Sequence, residues 1–533
     1  MTEAKTGILL NQTWREQTWS ALDQPWDLIV IGGGITGAGI FNMAAQKGLK
    51  VLLVEANDFA FGTSSRSSKL VHGGIRYLRN RQFDVVRESV KERERLLRET
   101  DGLVEPFAFI FPAYDHNTHE VRQMKLGVII YDLMAPKWQH KTLNQTQTKK
   151  VLPALSAESL IGGIKYSDAR VDDSQLVLRV IMDGIRFGGA ALNYCKVIQL
   201  CKSAHGQVEG VIVEDQSGFM SPTQVEIRGR VVINATGPWS DQLRERLGGR
   251  PRLRPLRGSH LIFSHEAIPL NAAVTMLHPR DNRALFAIPW ENRTLIGTTD
   301  LDHDQLEDET RITSAEVDYL LEAAQYSFPD YPVSRAEVIS TFSGLRPVIN
   351  THAAHPSLES RAHEIWEEDG LVTVAGGKLT IFRVMAADAL NFCASHLPGH
   401  PKFDHRAPCF IHPKPQNRRD ASNPNWTLMA GRLGTDVNTF FQQADPADLA
   451  PIHPIPELWA ELTWAAKYEA VVHLDDLLLR RVRLGVLFPN GGLGLIDQVR
   501  ERIQVSLGWT DETWAAELKR YRQIWQENYY LPD

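Results

Sequence analysis

Three closely spaced glycines give the first indication of chemistry in this chain. The stretch DLIVIGGGITGAG, residues 27–39, places Gly32, Gly34 and Gly37 in the G-x-G-x-x-G spacing of dinucleotide-binding turns. The first glycine lets the chain reverse, the second lets a pyrophosphate approach the backbone, and the third lets the next helix pack on the strand. The free N–H groups at the start of that helix suit the phosphates of a dinucleotide.

A carboxylate follows the turn at the distance that ribose recognition requires. A second apolar strand, KVLLV over residues 50–54, ends at Glu55, about twenty residues beyond the glycines. Such a carboxylate accepts hydrogen bonds from both hydroxyls of an adenosine ribose and repels a 2′-phosphate. The pattern therefore favours NAD or FAD over NADP.

The elements around the turn are a strand over residues 28–31 and a helix over residues 40–47. Two later stretches repeat the passage from apolar strand to glycine: VVINATGPW, which contains Gly237, and LVTVAGGKLT, which contains Gly376 and precedes a helix over residues 381–395. Three such junctions exceed what NAD requires. They favour FAD, which is long and has two polar ends.

A serine-rich loop and the segment after it supply further candidates. GTSSRSSK, residues 62–69, offers small hydrogen-bonding side chains to a polyol and a second phosphate, although a solvated serine loop is the alternative. His72 is interpreted as a polar loop residue, and no motif suggests a covalent flavin. Beside Gly32, Gly34, Gly37 and Glu55, the predicted cofactor-binding residues are Thr63, Ser64, Ser65, Ser68, His72, Gly73, Thr236, Gly237, Gly377 and Thr380.

Composition limits the remaining classes. A chain of 533 residues is too long for a single hydrophobic core and is expected to form two or three domains. Its net charge of −6 gives no global basic signature for nucleic-acid binding. The four cysteines form no C-x-x-C pair and no metal-ligand spacing, which indicates buried reduced thiols and no metal site. The first 26 residues lack a secretory pattern, and no apolar run reaches the ~18 residues of a membrane span. We therefore expect a cytoplasmic protein.

The predicted fold class combines α/β and α+β architecture, with an antiparallel-sheet substrate domain interleaved in the FAD-binding domain and a helical domain at the carboxyl end. The C-terminal stretch from Glu457 to Phe488 contains Arg480, Arg481 and Arg483 and is predicted to pack on the rest, with a membrane-surface or partner helix as the alternative. The predicted boundaries are an extension over 1–25, FAD-binding segments over 26–105, 155–250 and 340–400, substrate-domain segments over 106–154 and 251–339, and the helical domain over 405–533.

The motifs together resemble a known family. DLIVIGGGITGAGI, TSSRSSKLVHGGIRYL, YSDARVDDSQLVL, NATGPW, RGSHLIF, IPWENRTLIGTTD, FSGLRP and AGGKLTIFR occur in the order found in FAD-dependent sn-glycerol-3-phosphate dehydrogenases, and VHLDDLLLRRVRL is similar to that family's closing domain. Thr36 stands where the family pattern has asparagine, and no EF-hand is present. The resemblance implies a Rossmann-like domain of the glutathione-reductase and amine-oxidase type and non-covalent FAD.

The resemblance also implies an activity and partners. These are oxidation of sn-glycerol 3-phosphate to dihydroxyacetone phosphate, hydride transfer to the flavin, and passage of electrons to membrane quinone. Peripheral attachment to the inner face of the membrane follows, and we add a homodimer to these expectations. The alternatives are an oxidase that reduces dioxygen to hydrogen peroxide, a related amino-acid or 2-hydroxy-acid oxidoreductase, and a flavin-bearing binding protein without turnover.

Roles for individual residues follow from the same resemblance. Arg346 and Arg361 match phosphate-binding positions, which suits the planar, bidentate guanidinium. Arg76 and Tyr77 match residues that line the substrate pocket, and Lys378 and Thr380 match residues at the flavin ring and substrate hydroxyl.

His260 matches the candidate proton acceptor, with a purely structural histidine as the alternative. The residues predicted to be catalytic are His260, Arg346 and Lys378.

Overall fold

The computed structural model describes residues 10–79, 82–135, 138–303, 305–306, 309–353, 355–356, 359–413 and 424–532, without the side chains of residues 76, 79 and 424. Its strands form two large sheets. The first sheet is centred on parallel strands that the apolar runs of the sequence supply, because strands buried on both faces need no polar alternation. Its spatial order is β17 (His363–Glu368), β18 (Leu371–Gly376), β10 (Gln224–Asn234), β1 (Trp26–Ile31), β2 (Val51–Val54) and β7 (Ala190–Leu192), with β8 (Cys195–Lys202) and β9 (Val208–Asp215) continuing antiparallel from β10.

The second sheet is almost wholly antiparallel. Its spatial order is β15 (Leu301–Asp302), β11 (Leu253–Ser264), β14 (Arg293–Gly297), β13 (Ala284–Trp290), β12 (Ala273–Leu277), β4 (Val104–Tyr114), β6 (Leu160–Val171) and β3 (Leu70–Val71), with β16 (Val338–Ile349) on β11 and β5 (Lys141–Asn144) on β6. The parallel exception in this sheet is the β12–β4 pair.

The described helices surround the sheets and fill the carboxyl-terminal region. They are α1 (Gln12–Ser20), α2 (Ile35–Gln46), α3 (Arg76–Arg79), α4 (Phe83–Glu99), α5 (Thr118–Met134), α6 (Gln145–Val151), α7 (Asp173–Arg186), α8 (Ser240–Glu245), α9 (Ser314–Ser327), α10 (Phe382–Phe392), α11 (Pro424–Leu433), α12 (Val437–Gln443), α13 (Trp459–Tyr468), α14 (Leu484–Leu487), α15 (Ile496–Ile503) and α16 (Asp511–Asn528), with a π-helical turn over Asp476–Arg481. The predicted fold class is confirmed.

Helix α2 is the helix that follows the first glycine turn, and it begins at Ile35 rather than at residue 40 as predicted. It packs between α7 and α10 and is buried along almost its whole length. Gly39 permits this packing, because a Cβ there would lie 2.8 Å from the ring of Phe382. The low helix propensity of Gly37 and Gly39 favours a turn at these positions, but tertiary packing outweighs it.

Three strands of the antiparallel sheet lie wholly or largely in segments that the sequence assigns to the FAD-binding domain. β3 falls within residues 26–105, β6 within residues 155–250 and most of β16 within residues 340–400, yet all three pair with strands of the antiparallel sheet. Sheet membership depends on long-range pairing, which a local pattern does not encode. The amino-terminal extension contains α1, and the Arg15 guanidinium of α1 donates to the carbonyl oxygen of Asn193 at 2.7 Å.

The carboxyl-terminal arginines lie in the interior, in agreement with the predicted packed subdomain. Arg480 and Arg481 both pair with the buried carboxylate of Asp58, and Arg483 pairs with Asp173 at 3.0 Å. All three arginines are 2% exposed or less. The four cysteines are buried and unpaired with one another, as expected. Among the described residues, no helix is both long enough and apolar enough to span a membrane.

Candidate active site

A cavity of about 400 Å³ runs from the carboxyl end of β1 to the inner face of the antiparallel sheet. Most of the predicted site residues line it. They are Gly32, Gly34, Glu55, Thr63, Ser64, Ser68, His72, Tyr77, Thr236, Gly237, His260, Arg346, Arg361, Gly377, Lys378 and Thr380. The three strand-to-glycine junctions therefore converge on one elongated space.

The first glycine turn is closed so tightly that side chains are excluded. Gly32 has a φ of +115°, and a Cβ there would lie 2.6 Å from the carbonyl oxygen of Ala235. A Cβ on Gly37 would lie 1.9 Å from the carbonyl oxygen of Gly32, so this glycine lets α2 start directly against the turn. Gly37 does not line the cavity itself. Its predicted role of helix packing agrees with this position.

Glu55 lies at the opposite side of the turn. Its carboxylate accepts the N–H of Gly33 at 2.6 Å and the N–H of Asn57 at 2.9 Å. Burial raises the pKa of Glu55, while these amide hydrogen bonds act in the opposite direction. A carboxylate has about four acceptor positions, so capacity remains for the two hydroxyls of a ribose.

Some residues of the serine-rich loop line the cavity and others do not. The N–H of Ile35, at the start of α2, donates to the Ser64 hydroxyl at 3.0 Å. The Thr63 hydroxyl donates to the carbonyl oxygen of Leu345 in β16. Both Ser64 and Thr63 also line the cavity. Ser65 does not line the cavity; its hydroxyl lies 3.5 Å from the carbonyl oxygen of Phe61.

The third glycine junction meets the segment after β3. Gly376 and Gly377 have φ values of +80° and +69°. Just beyond them, the Thr380 hydroxyl donates to the carbonyl oxygen of His72 at 3.2 Å, and the N–H of His72 lies 3.3 Å from the same hydroxyl. These hydrogen bonds connect the segment after β3 with the segment after β18 at the cavity wall.

Two guanidinium groups converge on Asp300 near the antiparallel sheet. Arg346 Nη1 donates to Asp300 Oδ1 at 3.0 Å, and Nη2 donates to the Thr298 hydroxyl at 3.0 Å. Arg361 Nη2 lies 3.7 Å from the same carboxylate oxygen. Gly258 provides the space for Arg346, because a Cβ there would lie 2.3 Å from Nη2. No local pattern singles out Asp300 or Gly258 as a site residue, although both lie in motifs that carry the resemblance.

His260 is buried two positions after Gly258 on β11. Its Nε2 lies 2.8 Å from the Ser68 hydroxyl, and its ring stacks on Phe342 at 4.6 Å between centroids. Burial, followed by the charges of Arg346 and Lys69, lowers the pKa of His260 well below the ordinary 6.5. His260 is therefore neutral at neutral pH and has the capacity to accept a proton.

Lys378 lies opposite, at the third glycine junction. Its Nζ donates to the carbonyl oxygen of Gly73 at 3.1 Å and lies 4.8 Å from the centre of the Tyr77 ring. Burial lowers the pKa of Lys378 to about 8. Gly73 does not line the cavity but holds this lysine through its carbonyl group. The side chain of Arg76 lies outside the described residues.

The donors along the cavity fit a flavin dinucleotide. The turn at Gly32 and Gly37 leaves only backbone at the start of α2, where a pyrophosphate binds best, and the Glu55 carboxylate lies at the ribose position. The remaining two junctions extend the cavity toward His260 and Lys378. This fold and this site define a flavin-dependent oxidoreductase.

Comparison with known families agrees. Residues 27–381 match the model of the FAD dependent oxidoreductase family, and residues 416–514 match that of the C-terminal domain of alpha-glycerophosphate oxidase. The chain belongs to the FAD dependent oxidoreductase family, and FAD is its cofactor.

Its relatives include two bacterial enzymes named aerobic glycerol-3-phosphate dehydrogenase. The Staphylococcus haemolyticus protein is 34% identical over 487 residues, which cover 86% of this chain and 87% of the relative. The Bacillus subtilis protein is 37% identical over 378 residues, which cover 70% and 67%. Among solved structures, glycerol-3-phosphate dehydrogenase from Bacillus halodurans complexed with FAD is 29% identical, with a TM-score of 0.76 and 97% of each chain covered.

Proposed function

We propose that this protein oxidises sn-glycerol 3-phosphate to dihydroxyacetone phosphate and passes the electrons through FAD to membrane quinone. The observation that carries the proposal is the convergence of Arg346 and Arg361 in the cavity that also contains His260 and Lys378. A pair of guanidinium groups suits a phosphate dianion, and the other two residues suit proton and charge handling at a neighbouring carbon. The names of the relatives point to the same substrate.

The phosphate group is bound by the two arginines. Arg361 is 5% exposed, and its Nη2 has no hydrogen-bond partner among the described residues. A buried donor without a hydrogen-bond partner is costly, and a phosphate oxygen would provide one. Arg346 is oriented by Asp300 and Thr298, so the plane of its guanidinium group has a fixed direction.

His260 accepts the proton of the C2 hydroxyl. Removal of that proton and of the hydride on C2 leaves the C2=O double bond of the ketone, so atoms and electrons balance. FAD, when bound, supplies the two-electron acceptor for the hydride. Because His260 is neutral and lies 2.8 Å from the Ser68 hydroxyl, its ring is held in position to act as the base.

Lys378 supplies positive charge at the other wall of the cavity. With a pKa of about 8, its ammonium group is mostly protonated at pH 7 and stabilises negative charge that develops on the substrate oxygen and the reduced cofactor. Tyr77, whose ring lies beside the ammonium group, and Thr380 complete this wall in the proposal.

The other cofactor contacts in the proposal follow the three junctions. Gly32, Gly34 and Glu55 hold the adenosine end. The residues assigned to the rest of the cofactor are Thr63, Ser64, Ser68, His72, Thr236, Gly237, Gly377 and Thr380.

Membrane quinone as acceptor requires contact with a bilayer. Helix α5 and the chain just after it carry Leu126, Leu133 and Trp138, which are 61%, 73% and 61% exposed, and Arg122 and Lys125 are exposed on the same helix. Exposed apolar side chains flanked by basic ones suit an anionic lipid surface. We therefore propose peripheral attachment at the inner face of the membrane, and a homodimer as the solution state.

An anaerobic absorbance experiment tests the function. Addition of sn-glycerol 3-phosphate to the purified holoenzyme is expected to bleach the visible flavin band, and addition of a soluble quinone is expected to restore it. Glycerol, which lacks the phosphate, is the matched control and leaves the band unchanged. A band that persists with sn-glycerol 3-phosphate but bleaches with amino acids refutes the proposed substrate.

The same preparation tests the acceptor, the membrane contact and the dimer. Stoichiometric hydrogen peroxide in air, with no response to quinone, would establish the oxidase alternative that the C-terminal family match keeps open. Co-sedimentation with anionic vesicles, compared between the natural protein and Leu133→Ser, tests α5 as the contact. Analytical ultracentrifugation tests the dimer.

A further inference from the structure

A buried hydrogen-bonded cluster behind the active-site wall has no role in the steps above. Arg93 of α4, Tyr131 of α5 and Asp168 of β6 are 1%, 1% and 5% exposed. Arg93 Nη1 donates to Asp168 Oδ1 at 2.7 Å and to the Tyr131 hydroxyl at 3.1 Å, and the Tyr131 hydroxyl donates to Asp168. Three elements that are separate in the chain thereby meet at one carboxylate.

The cluster forms hydrogen bonds with the backbone N–H of Gly73. The N–H of Gly73 lies 2.7 Å from the Tyr131 hydroxyl and 3.2 Å from Asp168 Oδ1. A phenolic hydroxyl has one hydrogen to donate and two acceptor positions, and those of Tyr131 are all used by Asp168, Gly73 and Arg93. A Cβ on Gly73 would lie 2.3 Å from the Tyr131 oxygen, so only glycine permits this approach.

The same residue connects the cluster to the active site. The carbonyl oxygen of Gly73 accepts a hydrogen bond from Lys378 Nζ at 3.1 Å. The cluster fixes the amide side of Gly73, and the chain just before this residue is also restrained, because β3 pairs with β6 and His72 bonds to Thr380. The position of the Lys378 acceptor therefore depends in part on Tyr131 and Asp168, which do not line the cavity.

We propose that Tyr131 and Asp168 are positioning residues: through the Gly73 peptide they hold the Lys378 ammonium group at the cavity wall, where its proposed role requires it. This inference rests on the proposed function, because it assigns the task of Lys378 to that reaction. Asp168 has a second effect, because the charge of its carboxylate favours the protonated form of Lys378.

The charges that act on Lys378 come from several elements. Burial lowers its pKa to about 8, Tyr77, Asp168 and Glu88 act to raise it, and Arg361 acts to lower it. Loss of the Asp168 charge therefore lowers the pKa of Lys378 further. Loss of the Tyr131 hydroxyl leaves all these charges in place and removes its hydrogen bonds to Gly73, Asp168 and Arg93.

The experiment compares Tyr131→Phe with Tyr166→Phe. Tyr166 is 2% exposed and lies on β6 two residues before Asp168, but its hydroxyl bonds to the Thr275 hydroxyl at 2.9 Å and does not reach Gly73. Both variants lose one buried phenolic hydroxyl. With FAD content matched by absorbance, Tyr131→Phe is expected to lower the rate of flavin reduction roughly tenfold, because misplacement of a catalytic group has costs of this order or larger. Tyr166→Phe is expected to retain the natural rate.

A second pair of variants isolates the charge. Asp168→Asn is expected to move the basic limb of the pH–rate profile to lower pH, and Asp168→Glu is expected to return it toward the natural position. Tyr131→Phe is expected to leave that limb in place while lowering the plateau. A merely structural cluster would change stability or FAD content without this separation.

Equal rates and flavin midpoint potentials for Tyr131→Phe and Tyr166→Phe would overturn the inference. So would an unmoved basic limb in Asp168→Asn. If Asp168→Asn does not fold, the comparison of Tyr131→Phe with Tyr166→Phe still tests the inference. If sn-glycerol 3-phosphate fails to bleach the natural protein, the proposed function fails, but the midpoint potential requires no substrate. A lower potential in Tyr131→Phe than in Tyr166→Phe would then still support the positioning of Lys378.

Discussion

Arg346, which lines the cavity, forms a 3.0 Å ion pair with Asp300 behind it, between β16 and the segment that follows β14. Asp300 is 3% exposed at its side chain, whereas that of Arg346 is 26% exposed. The buried carboxylate therefore orients a guanidinium that still faces the open space. This arrangement suits the proposed phosphate-binding role of Arg346, and it gives the first prediction.

Arg346→Lys is expected to lower kcat/KM for sn-glycerol 3-phosphate by roughly 30-fold, equivalent to about 2 kcal/mol of lost charge-assisted hydrogen bonding. A lysine keeps the charge but loses the planar pair of donors. Steady-state kinetics with a quinone acceptor measure the change. Arg335→Lys, in a pair with Asp318 and outside the residues that line the cavity, is the control and is expected to stay near the natural value.

The pKa of His260 predicts the acid side of the pH profile. Because burial and the charges of Arg346 and Lys69 lower this pKa well below 6.5, the base stays neutral as the pH falls through 6.5. The value of kcat/KM for flavin reduction is therefore expected to stay level there and to decline only at lower pH. His260→Gln is expected to lower the reduction rate by about 10²–10⁴-fold, the usual range for loss of a general base. A midpoint above 6.5 would contradict the assignment.

Lys378 predicts the basic side of the profile. Its ammonium form is present below a pKa of about 8, so kcat/KM is expected to fall as the pH rises through about 8. Lys378→Arg is expected to remove this limb, because a guanidinium does not deprotonate in that range. Lys378→Met removes the charge at every pH and is expected to be slow throughout. Retention of the limb in both variants would assign it to another group.

The glycine turn predicts loss of cofactor from a small substitution. Gly37→Ala places a Cβ 1.9 Å from the carbonyl oxygen of Gly32, so the turn and the start of α2 have to separate. The purified variant is expected to contain little FAD, measured as the ratio of flavin to protein absorbance. Gly494→Ala is the matched control, since a Cβ there meets nothing within 4 Å. Equal flavin content in the two variants would contradict this role of the turn.

Local patterns predicted a large part of this architecture. The strand before Gly32, the carboxylate at Glu55 and the later junctions at Gly237 and Gly376 are encoded by short stretches whose physical requirements are local. Packing changed details, as at α2, which starts at Ile35 because α7 and α10 cover its small residues.

The relationships that the sequence did not predict join distant residues. Gly258 provides the space for Arg346, and the Gly73 N–H bonds to Tyr131 and Asp168. No residue spacing within a single segment predicts either contact. The carboxyl-terminal arginines are a further case. A run with Arg480, Arg481 and Arg483 is compatible with an exposed basic face, and only the fold brings it to Asp58, more than 400 residues earlier.

Asp58 provides the stability prediction. Burial by itself would raise its pKa, but Arg481 and Arg480 outweigh that effect and hold the pKa at about 2. A carboxylate with a depressed folded-state pKa contributes stability above its unfolded-state pKa and loses it as the pH falls toward the folded-state value. The contribution of Asp58 is therefore expected to be complete at neutral pH and to disappear between about pH 4 and pH 2.

Asp58→Asn is expected to destabilise the protein by about 3–5 kcal/mol at neutral pH, because it leaves two buried guanidinium groups without their shared carboxylate. Chemical denaturation monitored by tryptophan fluorescence measures the change. Asp404→Asn is the control: Asp404 also pairs with an arginine, Arg406, but at the surface, and this variant is expected to unfold at nearly the same denaturant concentration as the natural protein. Similar losses for the two variants would show that the Asp58 pair does not anchor the carboxyl-terminal region to the loop after Glu55.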